Sequence, residues 1–218
     1  MNAVRSFLIF GFLLCCVSPV QAQQSTTSST PLSDRRVSYT MDVVLDPETR
    51  SIKGTERLTW TNPDSAPVDE LQFHMYLNAF KDNNSTFMKE SGGAHRGNTA
   101  KDENPWGGIQ ISSMRIADDV GDLRPELLTS RGADLTQSMT FIQPDDGNVD
   151  DQTVFSVQLP QSVAPGETIT LDITFESRLP EIVARTGWAI SESGNPFIFA
   201  GQWFPKIAVL EIPGQRYV

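Results

Sequence analysis

The sequence has almost no cysteine and almost no histidine. Its 218 residues include two cysteines, Cys15 and Cys16, and two histidines, His74 and His95. Because both cysteines lie in the first 22 residues, the remainder of the chain offers no disulfide, thiol nucleophile or cysteine-ligated metal. The two histidines are too far apart in sequence to form the helical H-E-x-x-H pair of zinc peptidases. Thiol chemistry and this kind of zinc site are therefore excluded.

Positive charge is also scarce. The chain carries 17 Lys and Arg against 27 Asp and Glu, for a net charge of −10. Nucleic-acid phosphates and anionic membranes bind to cationic surfaces, so we expect neither as a partner. A G-x-S-x-G nucleophile elbow and a Gly-rich phosphate loop are both absent. A carboxylate-based hydrolase remains a minor alternative, since two of the many acidic residues could act as acid and base.

The chain begins with the pattern of a secretory leader. Arg5 precedes an apolar run at residues 7–17, and small side chains follow at Val20 and Ala22. The run is shorter than the roughly 20 residues that a membrane span requires. We predict a signal peptide at residues 1–22 and an exported protein, periplasmic or secreted, with no membrane attachment after cleavage; an uncleaved anchor or a lipid anchor is the alternative. Residues 23–36 are predicted to be a disordered polar linker.

Alternating apolar and polar residues dominate the rest of the chain. Residues 37–45 and 52–60 show this period of two on either side of a turn, which predicts a β-hairpin. Further strands are predicted at residues 71–77, 109–116, 138–142, 153–159 and 168–177. Residues 81–108 are predicted to be a mobile polar loop, and no long run has helical periodicity. The predicted fold class is all-β, an antiparallel β-sandwich or a curved, saddle-like sheet.

Two groups of polar residues are candidate metal ligands. Asp145, Asp146, Asp150 and Asp151 lie in one turn, and calcium prefers such oxygen-rich loops. Their order does not match the EF-hand, so an ordinary acidic turn is the favoured interpretation. His74 in a strand and His95 in a Gly-rich loop are interpreted as solvated or hydrogen-bonded residues rather than ligands.

Several segments resemble the N-terminal β domain of the M1 zinc metallopeptidases. They are the hairpin at residues 39–62 with its Ile-Lys-Gly, the strand at 71–80 and the two strands at 155–180. The sequence GQWFPKIAVLEIPG at residues 201–214 is similar to the segment where that domain turns toward the catalytic domain. The resemblance extends over residues 37–214 and is strongest to the exported bacterial, aminopeptidase N-like branch.

The resemblance implies that residues 37–218 form an N-terminal β domain, truncated before the catalytic domain. In the family, the following thermolysin-like domain binds zinc through H-E-x-x-H and a further Glu, and the metal activates water. Neither those ligands nor a G-x-M-E-N loop occurs in this chain. We therefore expect no cofactor here, zinc in the missing domain, and an isolated chain that is inactive. The implied partners are that peptidase domain in cis and the peptide substrate of the full-length enzyme.

The resemblance also implies a position for the substrate. In the family, the β domain helps to wall the cleft, and an acidic or amide residue shortly before the Phe-Pro pair holds the free amine of the peptide. Glu192 and Asn195 are the candidates for that residue. The full set of candidates for substrate binding or for a domain interface is Glu192, Asn195, Gln202, Trp203, Phe204 and Lys206. A surface that faces a second domain predicts bare apolar side chains within residues 197–210. The alternative is a free-standing exported β-sandwich that binds a peptide, glycan or protein through the aromatic residues at 197–204.

Overall fold

The computed structural model describes residues 35–92, 104–117, 132–181 and 186–211. Within these ranges the strands are β1 Val37–Asp46, β2 Ser51–Thr61, β3 Val68–His74, β4 Gly108–Ile116, β5 Met139–Phe141, β6 Val154–Val163, β7 Thr168–Arg178, β8 Gly187–Ile190, β9 Pro196–Phe199 and β10 Lys206–Ile207. One α-helix, α1, spans Thr86–Ser91, and 3₁₀ helices span Tyr76–Phe80 and Thr136–Ser138. The predicted signal peptide, the linker up to residue 34, His95 and the last seven residues lie outside the described residues.

The strands form antiparallel sheets, which confirms the predicted all-β fold class. The first sheet has the order β1-β2-β7-β4 and the second has the order β10-β3-β6-β5, while β8 and β9 pair as a separate hairpin. The predicted hairpin at residues 37–60 is present as β1 and β2, paired from Val37 opposite Trp60 to Asp46 opposite Ser51. In β7 the predicted apolar face is buried, and its residues are Ile169, Leu171, Ile173 and Phe175.

The core lies between the two four-stranded sheets. Buried apolar side chains from both sheets form one hydrophobic cluster. Leu58 and Leu171 contribute from the first sheet, and Phe73 and Phe155 from the second. The rings of Phe73 and Phe155, which are opposite each other on β3 and β6, stack with centroids 5.0 Å apart. Two antiparallel sheets that share a buried core make a β-sandwich, because each sheet covers the apolar face of the other.

Two predictions of local structure are wrong. The strand predicted at residues 71–77 ends at His74, because the chain turns into the 3₁₀ helix that buries Leu77 and Phe80. The predicted loop at residues 81–108 contains α1, whose N-cap Ser85 accepts a hydrogen bond from the Met88 amide. A helix of six residues is too short to produce a periodic signal. Among the helices of the described ranges, none has the length and apolar character needed to cross a bilayer.

Candidate functional site

Residues 202–206, called the closing segment below, lead the chain back onto the sandwich. The last of them, Lys206, begins β10, which adds to the edge of the second sheet. In that pairing Lys206 lies opposite His74 and Ile207 lies opposite Phe73. The closing segment is thus attached at one end by sheet hydrogen bonds, and its two aromatic residues pack on the first sheet.

Two half-buried aromatic rings of the closing segment contact the first sheet. The Trp203 ring lies 5.9 Å from the Phe175 ring of β7, and the Phe204 ring lies 5.5 Å from the Tyr39 ring of β1. Trp203 and Phe204 also contact each other at 5.2 Å, and the Ser177 hydroxyl donates to the Trp203 carbonyl. Such aromatic pairs stabilise by about 0.5–1.5 kcal/mol each beyond their buried area. The closing segment is therefore anchored to both sheets.

Gln202 has a backbone conformation that favours glycine. Its φ is 55°, in the left-handed region, which costs an L-residue roughly 1 kcal/mol or more. Its Oε1 accepts a hydrogen bond from the Lys206 ammonium, which in turn lies 4.9 Å from the Phe204 ring centroid. The Gln202 side chain is exposed. Backbone strain at a residue with an exposed side-chain amide is typical of a functional position.

His74 lies next to Lys206 in the ladder and packs on an aromatic ring. Its imidazole stacks on Tyr76 with centroids 4.9 Å apart and an interplanar angle of 17°. Burial lowers the pKa of His74, while the negative charge of Asp145 acts in the opposite direction. Because like charges opposite each other in a ladder repel, a neutral imidazole suits the position beside Lys206.

Glu192 and Asn195 lie in the turn between β8 and β9. The Asn195 amide donates to the Ser191 hydroxyl at 3.0 Å, and its carbonyl accepts from the Ser191 amide at 2.8 Å. The Asn195 side chain donates to Ser193 Oγ at 3.1 Å, so these groups stabilise the turn. The Glu192 side chain is exposed. Of the six candidates, the structure links Gln202, Trp203, Phe204 and Lys206 by successive contacts and leaves the other two in this turn.

The hairpin of β8 and β9 presents aromatic rings to solvent. Phe197 and Phe199, called the hairpin aromatics below, are alternate residues of β9 and are 55% and 52% exposed. On β8, Trp188 is buried with the Arg50 guanidinium 3.3 Å from its ring centroid, which attaches the hairpin to the β1–β2 turn. Val209 is also exposed. The bare apolar surface expected within residues 197–210 is therefore present.

Glu56 is a notable residue that the sequence patterns did not single out. It lies on β2 opposite Met41 of β1 and Ile173 of β7, and it is only 1% exposed. Both carboxylate oxygens lack a hydrogen-bond partner in the part of the chain that is described, and burial raises the pKa of Glu56 to about 8. A signal was available, because the alternation that directs Lys53 and Arg57 outward directs Glu56 inward.

The polar groups of the acidic turn form hydrogen bonds with residues of helix α1. Asp146 Oδ2 accepts from the Thr86 hydroxyl at 2.8 Å, and Asp151 Oδ2 accepts from the Thr86 amide at 3.0 Å. Lys89 Nζ donates to Asn148 Oδ1 at 2.9 Å. These contacts clamp the start of α1. Across the described ranges, no three His, Cys, Asp or Glu side chains group as a metal site.

The closing segment and the hairpin aromatics together offer an amide, a cation and apolar rings. Such groups bind and orient a ligand or a neighbouring domain through hydrogen bonds and apolar contact. In comparisons with known proteins, no family model and no curated protein matches this chain.

Proposed function

We propose that this chain is the non-catalytic N-terminal β domain of an exported M1-type zinc metallo-aminopeptidase, an enzyme that removes N-terminal amino acids from peptides. In this role the domain forms one wall of the substrate cleft and supports the catalytic domain. The observation that carries the proposal is the closing segment. It combines the M1-like sequence with an exposed, strained Gln202 whose side-chain amide is held by Lys206.

The Gln202 amide suits contact with a peptide. Its oxygen has a second lone pair beyond the one that Lys206 occupies, and its nitrogen has two N–H donors. The amino terminus of a peptide presents an ammonium donor followed by carbonyl acceptors. The amide oxygen can accept from the ammonium while the amide nitrogen donates to a carbonyl. Gln202 also belongs to the closing segment, whose sequence resembles that of the M1 family.

The hairpin aromatics suit contact with a second domain. Full burial of a Phe side chain stabilises by about 1.5–3 kcal/mol, and two such side chains lie on alternate residues of one strand. The zinc of such an enzyme belongs to the catalytic domain, as it does in the M1 family. In this function, the hairpin aromatics bind the catalytic domain and Gln202 positions the peptide.

The proposal is tested on the product of the complete reading frame. We expect the frame to continue past codon 218 into an H-E-x-x-H sequence, and the product to release amino acids from aminoacyl nitroanilides in a chelator-sensitive reaction. Gln202→Ala should lower kcat/KM by about tenfold or more, because a hydrogen bond to the substrate is lost. Gln137→Ala, which truncates an exposed glutamine of the second 3₁₀ helix, is the matched control.

Two results contradict this function. One is a stop codon followed by an unrelated gene. The other is a complete product in which Gln202→Ala and Gln137→Ala have the same kcat/KM.

The hairpin aromatics also favour a second candidate, a free-standing exported module that binds a peptide, glycan or protein. That function predicts saturable binding of a defined ligand by the chain alone, lost in the Phe197→Ser/Phe199→Ser double variant. An M1 domain predicts instead that a covalently following peptidase domain covers these rings, so the two functions differ in what protects Phe197 and Phe199 from solvent.

A further inference from the structure

A groove of about 830 Å³ opens between the edges of the two sheets. Its walls include β4, the edge strand of the first sheet, and β5, the edge strand of the second. The 3₁₀ helix Tyr76–Phe80 and the residues just before β4 contribute the rest. No residue of the closing segment lines this groove, so it is distinct from the site described above.

One half of the outer edge of β4 is already paired. The Met114 amide donates to the Thr136 hydroxyl at 3.0 Å, and the Met114 carbonyl accepts from the Leu135 amide at 2.8 Å. Two residues further along, the Ile116 amide donates to the Ala133 carbonyl at 3.0 Å. Met114 and Ile116 therefore direct their backbone groups away from β7, and residues 132–136 run along this half like an added strand.

The other half of the same edge is open. A bulge between Ile111 and Ser113 adds one residue, so the alternation assigns the outward groups of this half to Ile109 and Ile111. The Ile109 amide confirms this, since it donates outward to Asn78 Oδ1 at 2.8 Å. Within the described residues, nothing outside the sheet itself pairs with the Ile109 carbonyl or with either backbone group of Ile111. An open strand edge is a template for another strand.

The walls of the groove match the two faces of an added strand. Between the sheets, the lining is apolar, with Met139, Phe155 and an exposed Phe141 that packs edge to face on Phe155. On the solvent face of the first sheet, Arg178 is exposed and donates to the Asn104 carbonyl at 3.2 Å through one guanidinium nitrogen. An extended peptide also directs alternate side chains to opposite faces.

Charge favours an acidic partner on that solvent face. Arg178 lines the groove on this face, in a chain whose net charge is −10. Lys81 lines another part of the groove, where it donates to Gln152 and lies 4.0 Å from Asp82. The nearby Glu176 has Lys53 Nζ at 3.8 Å, so its negative charge is partly offset. Guanidinium groups bind carboxylates with good geometry because two N–H groups match two oxygens.

We propose that this groove binds an extended peptide, added as a strand along residues 109–111 of β4. Alternate side chains of the peptide are apolar, facing Phe141 and Met139, and acidic, facing Arg178. The unpaired backbone groups select a peptide over a glycan, because a peptide backbone repeats donors and acceptors at the spacing of a strand. The inference does not depend on the proposed function.

The test uses an acetylated and amidated heptapeptide in which valine alternates with glutamate, titrated against the chain by calorimetry. We expect saturable binding, weakened about tenfold when the central valine amides are N-methylated, since the peptide then loses backbone donors. Ile111→Pro should weaken binding by a similar factor by removing an outward N–H, whereas Ile111→Val should not. Unchanged thermal midpoints establish that the variants fold.

Charge reversal supplies a second, independent variant. Arg178→Glu should weaken binding of the glutamate peptide and strengthen binding of a peptide in which lysine replaces glutamate. The proposal is overturned by equal binding of the N-methylated peptide, by no binding of the glutamate peptide, or by binding of a glucan oligosaccharide in its place. None of these results bears on the kinetics of Gln202→Ala, so failure here and failure of the proposed function are distinguishable.

Discussion

The Tyr39 hydroxyl accepts a hydrogen bond from the Ile207 amide at 3.1 Å and so joins the first strand to the last. Tyr39 belongs to the first sheet and Ile207 to the second. Burial raises the pKa of Tyr39 to about 12; the hydrogen bond from Ile207 opposes this effect, and the charge of Glu56 adds to it. The hydroxyl is therefore neutral at physiological pH, and one tyrosine connects the two sheets beside the closing segment.

Tyr39→Phe should lower the free energy of unfolding by about 1–3 kcal/mol, because the Ile207 amide loses its partner. Urea denaturation followed by tryptophan fluorescence measures the change. Tyr76→Phe is the matched control, since Tyr76 is exposed and its described contact is made by the ring. A loss of stability equal to that of the control contradicts the prediction.

Glu56 should make the protein less stable as pH rises. Its pKa is about 8 in the folded chain and takes its ordinary value of 4.5 when unfolding exposes it. Between pH 4.5 and pH 8 the folded chain therefore binds more protons than the unfolded chain. The stability that protonated Glu56 contributes is complete below about pH 4.5 and is lost as pH rises toward 8. The slope from this one group reaches at most about 1.4 kcal/mol per pH unit.

Glu56→Gln removes this titration, so the difference in unfolding free energy between variant and parent should grow from pH 5 to pH 8. Urea titrations at intervals of about one pH unit measure that difference. Glu90→Gln, at an exposed position, is the control. If the parent and Glu56→Gln have parallel pH profiles, Glu56 is not protonated in the folded chain.

Asn62→Ala should be strongly destabilising. The buried Asn62 side chain donates to the Ala66 carbonyl at 2.9 Å and to the Val163 carbonyl at 2.8 Å, and it accepts from the Asp64 amide at 2.9 Å. Loss of these contacts leaves the buried Val163 carbonyl and the half-buried Asp64 amide without this partner, which costs about 2–4 kcal/mol.

Asn83→Ala truncates an exposed asparagine and should change stability by less than about 0.5 kcal/mol. Urea denaturation compares the two variants. Similar midpoints for both would mean that the turn after β2 does not depend on the Asn62 side chain.

The hairpin aromatics should bind a hydrophobic dye when no second domain covers them. We expect the fluorescence of a naphthalene sulfonate dye with this chain to fall by more than half in the Phe197→Ser/Phe199→Ser variant. Val44→Ser/Val149→Ser removes two exposed valines elsewhere and is the control. A fall in both variants alike, or in neither, would mean that the dye does not report on Phe197 and Phe199.

The central strands of the sandwich were predictable because their signal is local. In β7 each apolar residue is two positions from the next, so the pattern is readable without knowledge of any partner. The end of β3 and helix α1 gave no such signal. His74 is the last residue of β3 because the 3₁₀ helix buries Leu77 among residues from distant strands.

For the closing segment, the sequence predicted which residues group together but not what they pack against. Trp203, Phe204 and Lys206 are close in the chain, so their grouping needs no tertiary information. Their supports, Tyr39 and Phe175, are distant in sequence, and no local pattern pairs them with these residues.

The amino-acid sequence by itself determined the all-β class, the β1–β2 hairpin and the alternation that directs Glu56 inward, because each depends on neighbouring residues along the chain. Tertiary structure decided which half of the β4 edge stays open, which rings support Trp203 and Phe204, and which carboxylate lacks a hydrogen-bond partner among the described residues. These features depend on the order of strands in the sheets and on the packing of one sheet over the other. Both arise from contacts between residues far apart in the chain.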